Sequence, residues 1–409
     1  MNKRVVITGM SGITSLGNNW DVIHANMLSK KTGVTTIHAW KQIDGLNTLL
    51  AAPIHNFELP AHYSRKQTRA MGRVAQLATV ATEEALKQAK LLDEESILVS
   101  GNMGIAYGSC SGSTSALVEL AAINTEKTVK RVTATTYIKA MSHTCAVNLG
   151  LFFGVTGRII PVSSACTSSS QAIGYAFETI KHGYQDLMIA GGAEELCVSQ
   201  VAVFDTLYAT SQRNNEPTLT PRPFDKNRDG LVIGEGAATL ILEELTHAQD
   251  RGATIYAEIV GFGTNCDARH ITQPSAENMQ KALELALINA NIASSKIGYI
   301  SAHGTATDRG DIAESQATYN VFGSKTPISS LKGYFGHTLG ACGAIEAWLS
   351  IHMLNSNKFA PTVNLTEIDP NCAALDYIKE QERLFACDYI MSNNFAFGGI
   401  NTSLIFKKY

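Results

Sequence analysis

A chain of 409 residues with 45% hydrophobic and only 17% charged residues is long enough for two fused cores, and a net charge of −3 excludes the basic excess of a nucleic-acid binder. No apolar run reaches the roughly 18 to 20 residues that a membrane-spanning helix needs, so no membrane partner is expected. The eight cysteines form no C-x-x-C pair or His/Cys metal spacing, and the N-terminus does not resemble a signal peptide; free thiols in a reducing cytoplasm, and no bound metal, are expected.

In chain order, Arg4-Val-Val-Ile-Thr reads as a buried strand. The Gly9-Met-Ser-Gly12 stretch after it lacks G-x-G-x-x-G spacing, so no nucleotide cofactor is expected. Ser64 to Arg73 then places Arg65, Lys66, Arg69 and Arg73 within about two helical turns, as either a docking face or an ordinary solvated one. Val74 to Leu86 has helical spacing, and Arg158 to Val162 reads as a short buried strand. It leads through Ser-Ser-Ala-Cys166-Thr-Ser-Ser-Ser into a helix over 170–182, where Ala172, Ile173, Ala176, Phe177 and Ile180 share a face. A helix start carries unpaired N–H groups and partial positive charge, which favours a thiolate at Cys166; a small cysteine packed under a helix fits the same layout.

Leu187-Met-Ile-Ala-Gly-Gly is another buried strand. From Thr254 the cycle repeats: a strand to Gly263, a helix over Ala276 to Ala290, and a strand over Ile297 to Ser301. This alternation predicts an α/β fold built as a diverged duplication, with halves at 1–252 and 253–409 packed as one body. Two histidines follow strand-like runs in the second half, in His303-Gly-Thr-Ala-Thr and in Lys332-Gly-Tyr-Phe-Gly-His337. Functional groups in α/β sheets collect beyond the carboxyl ends of strands, so Cys166, His303 and His337 converge on one crevice in this reading. Two neutral imidazoles can donate to one developing oxyanion, as when a thioester enolate forms, and this points to carbon–carbon bond formation.

Ser-Ala-Cys166-Thr-Ser, His303-Gly-Thr-Ala-Thr, Lys332 with Gly336-His337, and Asn394-Phe-Ala-Phe-Gly-Gly-Ile-Asn401 resemble, in order, the motifs of the elongating β-ketoacyl-acyl-carrier-protein synthases. The likeness continues through Pro221 to Gly230 and covers essentially the whole chain. It implies the thiolase fold, with duplicated halves in a layered αβαβα arrangement, and a homodimer or a heterodimer with a related synthase subunit. It further implies that Cys166 takes an acyl chain from the phosphopantetheine of acyl carrier protein, with no other cofactor. The N–H groups of Cys166 and Phe397 would hold the oxyanion. His303 and His337 would stabilise the enolate of a decarboxylating malonyl unit, and Lys332 would tune them. Glu314 matches a family glutamate near that lysine and is expected to be structural.

By the same resemblance, Thr305, Thr307 and Thr272 contact substrate, and Phe395, Phe397, Gly398 and Gly399 form a gate. Arg65, Lys66, Arg69 and Arg73 would meet the acidic carrier protein. Thiolases need a second cysteine that the Asn-Phe-Ala-Phe-Gly-Gly tail lacks, and initiating synthases have Asn where His337 stands. A non-catalytic chain-length partner would lack Cys166. Cys166-Thr-Ser-Ser-Ser-Gln is similar to ketosynthases of type II polyketide and aryl-polyene systems rather than to housekeeping fatty-acid synthases. Asp308 stands where an apolar residue is common, and Ser111 falls where relatives carry a bulkier residue at the acyl pocket, which implies a roomier channel.

Overall fold

The structure is a computed structural model that describes residues 2–409. Ten strands carry the architecture: β1 (Val5–Thr14), β2 (Met103–Gly108), β3 (Ile159–Val162), β4 (Leu187–Glu194), β5 (Gly236–Glu244), β6 (Ala257–Cys266), β7 (Ile297–Ser301), β8 (Pro327–Ser329), β9 (Tyr389–Phe395) and β10 (Ile400–Lys407). Six helices matter to the site: α1 (Arg73–Gln88), α2 (Thr144–Phe153), α3 (Ser168–Lys181), α4 (Ala276–Ala290), α5 (Asp308–Phe322) and α6 (Cys342–Ser356).

The first five strands lie in the order β3-β2-β4-β5-β1, and the next five in the order β8-β7-β9-β10-β6. Adding five to each label converts one order into the other. Strand directions repeat as well: β1–β5 and β4–β5 are antiparallel with β2–β4 and β2–β3 parallel, and β6–β10, β9–β10, β7–β9 and β7–β8 follow suit. A three-residue antiparallel ladder, Val5 to Ile7 against Ile259 to Ala257, links the two sets.

Helices α3 and α6 touch strands of both sets and form the middle layer. Helices α1 and α2 cover the outer face of the first set, and α4, with α5 beside it, covers that of the second. This is the αβαβα layering. Its cause is visible in the helices: α1 buries Val74, Leu77, Ala81 and Ala85 on one side, whereas α6 is buried nearly all round, as a helix enclosed by two sheets must be. The largest core cluster accordingly runs through the middle layer, from Ile173 and Phe177 to Trp348 and Leu354.

Two expectations change. The Arg158–Val162 segment is not a buried strand: β3 ends the sheet, Ile159 is 40% exposed, and Pro161, which has no N–H to give a ladder, sits where an edge tolerates it. The Gly9–Gly12 stretch is interior to β1, where a Cβ on Gly9 would meet the Ala85 carbonyl oxygen at 2.3 Å, so these glycines serve close helix packing. No helix among the described residues is long and apolar enough to cross a membrane.

Candidate active site

Cys166 is reached from β3 through Ser163 and Ser164, and Ala165 before it holds the strained left-handed φ of +51°. The turn is pinned locally. The Thr167 hydroxyl donates to the Ser164 carbonyl (2.7 Å), the Ser168 hydroxyl to the Ala165 carbonyl (2.7 Å), and the Ser164 amide to Ser168 Oγ (2.9 Å). Ser169 Oγ accepts the Ala344 amide at the start of α6, and Ser170 donates to Asn394. The serine run therefore fastens the nucleophile turn to the middle layer.

The Cys166 thiol lies 2.9 Å from His337 Nε2, and the backbone N–H groups of Phe397 and of Cys166 itself are directed at the sulfur. Burial pushes this thiol up to about 11, against the pull of the Lys332 ammonium and the two amides. The expected thiolate preference of a helix start is thus outweighed by desolvation. All eight cysteines are free.

His303 leaves the end of β7, and its amide and that of Gly304 donate to the Glu314 carboxylate at 2.7 and 2.6 Å. Glu314 is thus bonded to the His303 turn. The ion partner of Lys332 is Glu346, fully buried on α6, with Lys332 itself fully buried. His337 is held by its backbone, its N–H on the Val232 carbonyl (2.7 Å) and its carbonyl on the Gly234 amide (2.9 Å). The imidazole rings stand perpendicular, centroids 5.2 Å apart.

The two rings differ in their surroundings. Nδ1 of His303 faces Lys332 Nζ at 3.2 Å and Asn394 Nδ2 at 3.3 Å. An ammonium and an amide NH₂ have no lone pair to offer, so Nδ1 accepts and the ring proton sits on Nε2. Nδ1 of His337 meets no partner among the described residues, and neither tautomer is locked. Burial, and then the nearby Lys332 charge, drive both histidines well below their ordinary range, so both are neutral near pH 7. Burial alone would lower the Lys332 value, but the Glu346 carboxylate raises it, and the lysine stays charged.

Cys166, His303 and His337 bring potential ligand atoms within 4.8 Å of one another. They suit a metal poorly. A histidine that binds through Nε2 carries its proton on Nδ1 and needs an acceptor there, and His303 has two donors at that position.

A cavity of about 490 Å³ opens above the sulfur. Phe395, Phe397 and Gly399 line it, as do Thr305, Thr307 and Thr272, while Gly398 is an exposed neighbour. The Phe395 ring sits 6.1 Å from that of His303, and the Phe397 ring rests 5.1 Å from Phe204. The hydroxyls of Thr305 and Thr307 hydrogen-bond each other at 2.9 Å. Asp308, at the mouth, is 3.4 Å from Arg228.

Ser111 does not line this cavity; its hydroxyl accepts Gln200 Nε2 at 3.1 Å. The basic cluster also divides. Arg65 and Lys66 are exposed on the short helix Arg65–Thr68, which Ser64 and Gln67 open with a capping box, and Arg69 is exposed at its C-cap. Arg73 is withdrawn from that face by a two-pronged bond to the buried Glu235 and a third to the Ile54 carbonyl.

The sequence reading missed Glu346 and left Asn394 without a role. Glu346 had a signal: it is the lone charge in the apolar run Cys342 to Ile351, and a buried carboxylate requires a partner.

Residues 2–248 match the N-terminal domain model of β-ketoacyl synthases, and residues 256–366 the C-terminal one. The 3-oxoacyl-[acyl-carrier-protein] synthase 1 of Haemophilus influenzae is 36% identical over 410 residues, spanning 100% of this chain and 99% of the relative. The crystal structure of a β-ketoacyl synthase from Burkholderia phymatum STM815 superposes with a TM-score of 0.98 at 57% identity, and that of the ishigamide ketosynthase/chain length factor with 0.91 at 28%, each covering both chains completely. With a thiol and two neutral imidazoles gathered at one cavity, a buried lysine behind His303, and this likeness along its length, the chain belongs to the β-ketoacyl synthase family of acyltransferases.

Proposed function

We propose that this chain condenses an acyl group held on Cys166 with a malonyl unit presented on acyl carrier protein, a reading supported by the name 3-oxoacyl-[acyl-carrier-protein] synthase of a curated relative. The observation that carries the residue roles is the 2.9 Å contact of Cys166 Sγ with His337 Nε2 beneath two inward-pointing amides.

The Cys166 sulfur attacks the carrier-bound thioester and passes its proton to His337, whose unlocked tautomer leaves it free to accept. The bond to the pantetheine sulfur breaks, and that thiol leaves with the proton. The amides of Cys166 and Phe397 hold the oxyanion in between. Malonyl thioester then loses CO₂, and the electron pair of the broken carbon–carbon bond settles on the thioester oxygen. His303, with its proton fixed on Nε2, and His337 donate to that oxygen. The enolate carbon attacks the acyl-Cys166 carbonyl, the carbon–sulfur bond breaks, and one proton taken up restores the thiol. Neutral imidazoles suit this task because they donate to the enolate without protonating its carbon.

Thr305, Thr307 and Thr272 guide the pantetheine arm along the cavity wall, and Arg65, Lys66 and Arg69 dock the acidic carrier. A second subunit, identical or related, would cover the edge strand β3 with Ile159 and the exposed Leu117 and Val118 of the helix Thr114–Thr125. The setting is cytoplasmic. Specialised polyketide or aryl-polyene elongation is supported by the run Cys166-Thr-Ser-Ser-Ser-Gln, with Asp308 and Ser111 as further departures from the common pattern. A non-catalytic chain-length role has no use for the Cys166–His337 contact.

The deciding experiment is condensation by the purified protein with malonyl and acyl carriers. Cys166→Ala must abolish it; persistence in that variant would overturn the assignment. A panel of saturated and polyenoyl carriers, read by mass spectrometry of the chain on Cys166, then separates the pathways.

A further inference from the structure

At the end of β9, immediately before the Phe397 loop, Asn394 is wholly buried and bonds to the nucleophile helix, to His303 and to the ion partner of Lys332. Its Oδ1 accepts the Ser170 hydroxyl on the nucleophile helix. Its Nδ2 lies 2.6 Å from Glu346 Oε2 and 3.3 Å from His303 Nδ1. The orientation of the amide follows from its partners: a carboxylate can only accept, so the nitrogen must face Glu346, and the oxygen is left for the one hydroxyl donor. The amide nitrogen thus donates to the carboxylate that neutralises Lys332 and to the imidazole, with the Cys342 sulfur a more distant acceptor at 3.5 Å.

We propose that Asn394 is a positioning residue for the decarboxylation step, which holds the His303 ring in the Nε2–H tautomer and sets the Lys332–Glu346 pair beside it. This inference rests on the reading of His303 as a donor to the thioester oxygen. Lys332 alone does not suffice. Its ammonium is shared with Glu346, and without Asn394 one oxygen of that carboxylate loses its donor and competes for the lysine or for a proton on His303 Nδ1. A proton drawn to Nδ1 would leave a lone pair on Nε2, facing the oxygen that His303 must stabilise. Acyl transfer to Cys166 depends less on this network, because the oxyanion there is held by backbone amides and the bonds of Ser164, Thr167 and Ser168 pin the turn without Asn394.

The test separates the two half-reactions. Asn394→Ala removes the amide, and Asn394→Asp keeps the shape while replacing the donating NH₂ by oxygen. In both, decarboxylation of malonyl carrier should fall by about 10- to 100-fold, as when an outer partner that fixes a histidine tautomer is lost. Single-turnover acylation of Cys166 should stay within about threefold. Nitrogen-15 shifts of labelled histidine should show His303 as the pure Nε2–H form in the parent and not in the variants. Full decarboxylation in Asn394→Ala, or equal loss of both half-reactions with an unchanged His303 signal, would overturn the proposal. Absence of both half-reactions in the parent protein would instead defeat the condensing-enzyme reading on which it stands.

Discussion

Lys332 Nζ stands 3.2 Å from Nδ1 of His303 while bonded to Glu346, so one buried cation both polarises an imidazole and neutralises a carboxylate. Removing only the cation leaves Glu346 without its ion partner in an interior that already raises its carboxyl by burial. Lys332→Met should cost about 3–5 kcal/mol of stability, and Lys332→Met with Glu346→Gln should recover a large part of it. Denaturant unfolding of the two variants and the parent checks this; equal losses would show that the pair is not coupled.

Burial that raises the Cys166 thiol to about 11 predicts a pH dependence. A raised thiol value means that the reactive thiolate is a small fraction at pH 7 and grows about tenfold per pH unit. Iodoacetamide alkylation of Cys166 should therefore keep rising from pH 7 to pH 9. A plateau below pH 8 would mean that His337 and the amides stabilise the thiolate more than burial opposes it.

Charge reversal separates docking from structure in the basic cluster. Arg65→Glu with Arg69→Glu should raise the KM for acyl carrier protein about tenfold, steeply dependent on salt, and leave the melting temperature in place. Arg73→Glu should act in the opposite sense. It strips the buried Glu235 of its partner, so stability falls by about 2 kcal/mol. Steady-state kinetics beside thermal melts distinguish the two classes.

The loop at Phe397 carries a further contrast. Gly399 has φ +75°, and a Cβ there would approach Asp267 Cβ to 2.7 Å; Gly398 has φ +87° but open space around it. Gly399→Ala should therefore reduce kcat more than Gly398→Ala, with the amide of Phe397 displaced from Cys166. Equal effects in a condensation assay would show that only backbone conformation, and not the contact with Asp267, sets the loop.

Cys166, His303 and His337 were legible because each sits in a contiguous motif whose local chemistry needs no knowledge of the rest of the chain. Helix Ala276–Ala290 and strand Ile297–Ser301 were legible for the same reason, through periodicity. Residues whose meaning comes from packing were not. Helical spacing grouped Arg73 with Arg65, but only the fold brings Glu235 to one and solvent to the other. A short apolar run could not reveal that β3 has no neighbour on its outer side. Asn394 sits among residues of a recognised motif, yet its proposed role depends on where α3 and α6 begin.

Cys166 lies in the first copy of the repeated five-strand pattern, whereas His303, Lys332, His337 and Phe397 lie in the second. Neither copy owns a reaction centre. A chain severed in the turn at Gly252 and Ala253 would yield two chemically silent fragments, and returning acyl transfer would report their reunion, which makes this enzyme a split reporter of its own assembly.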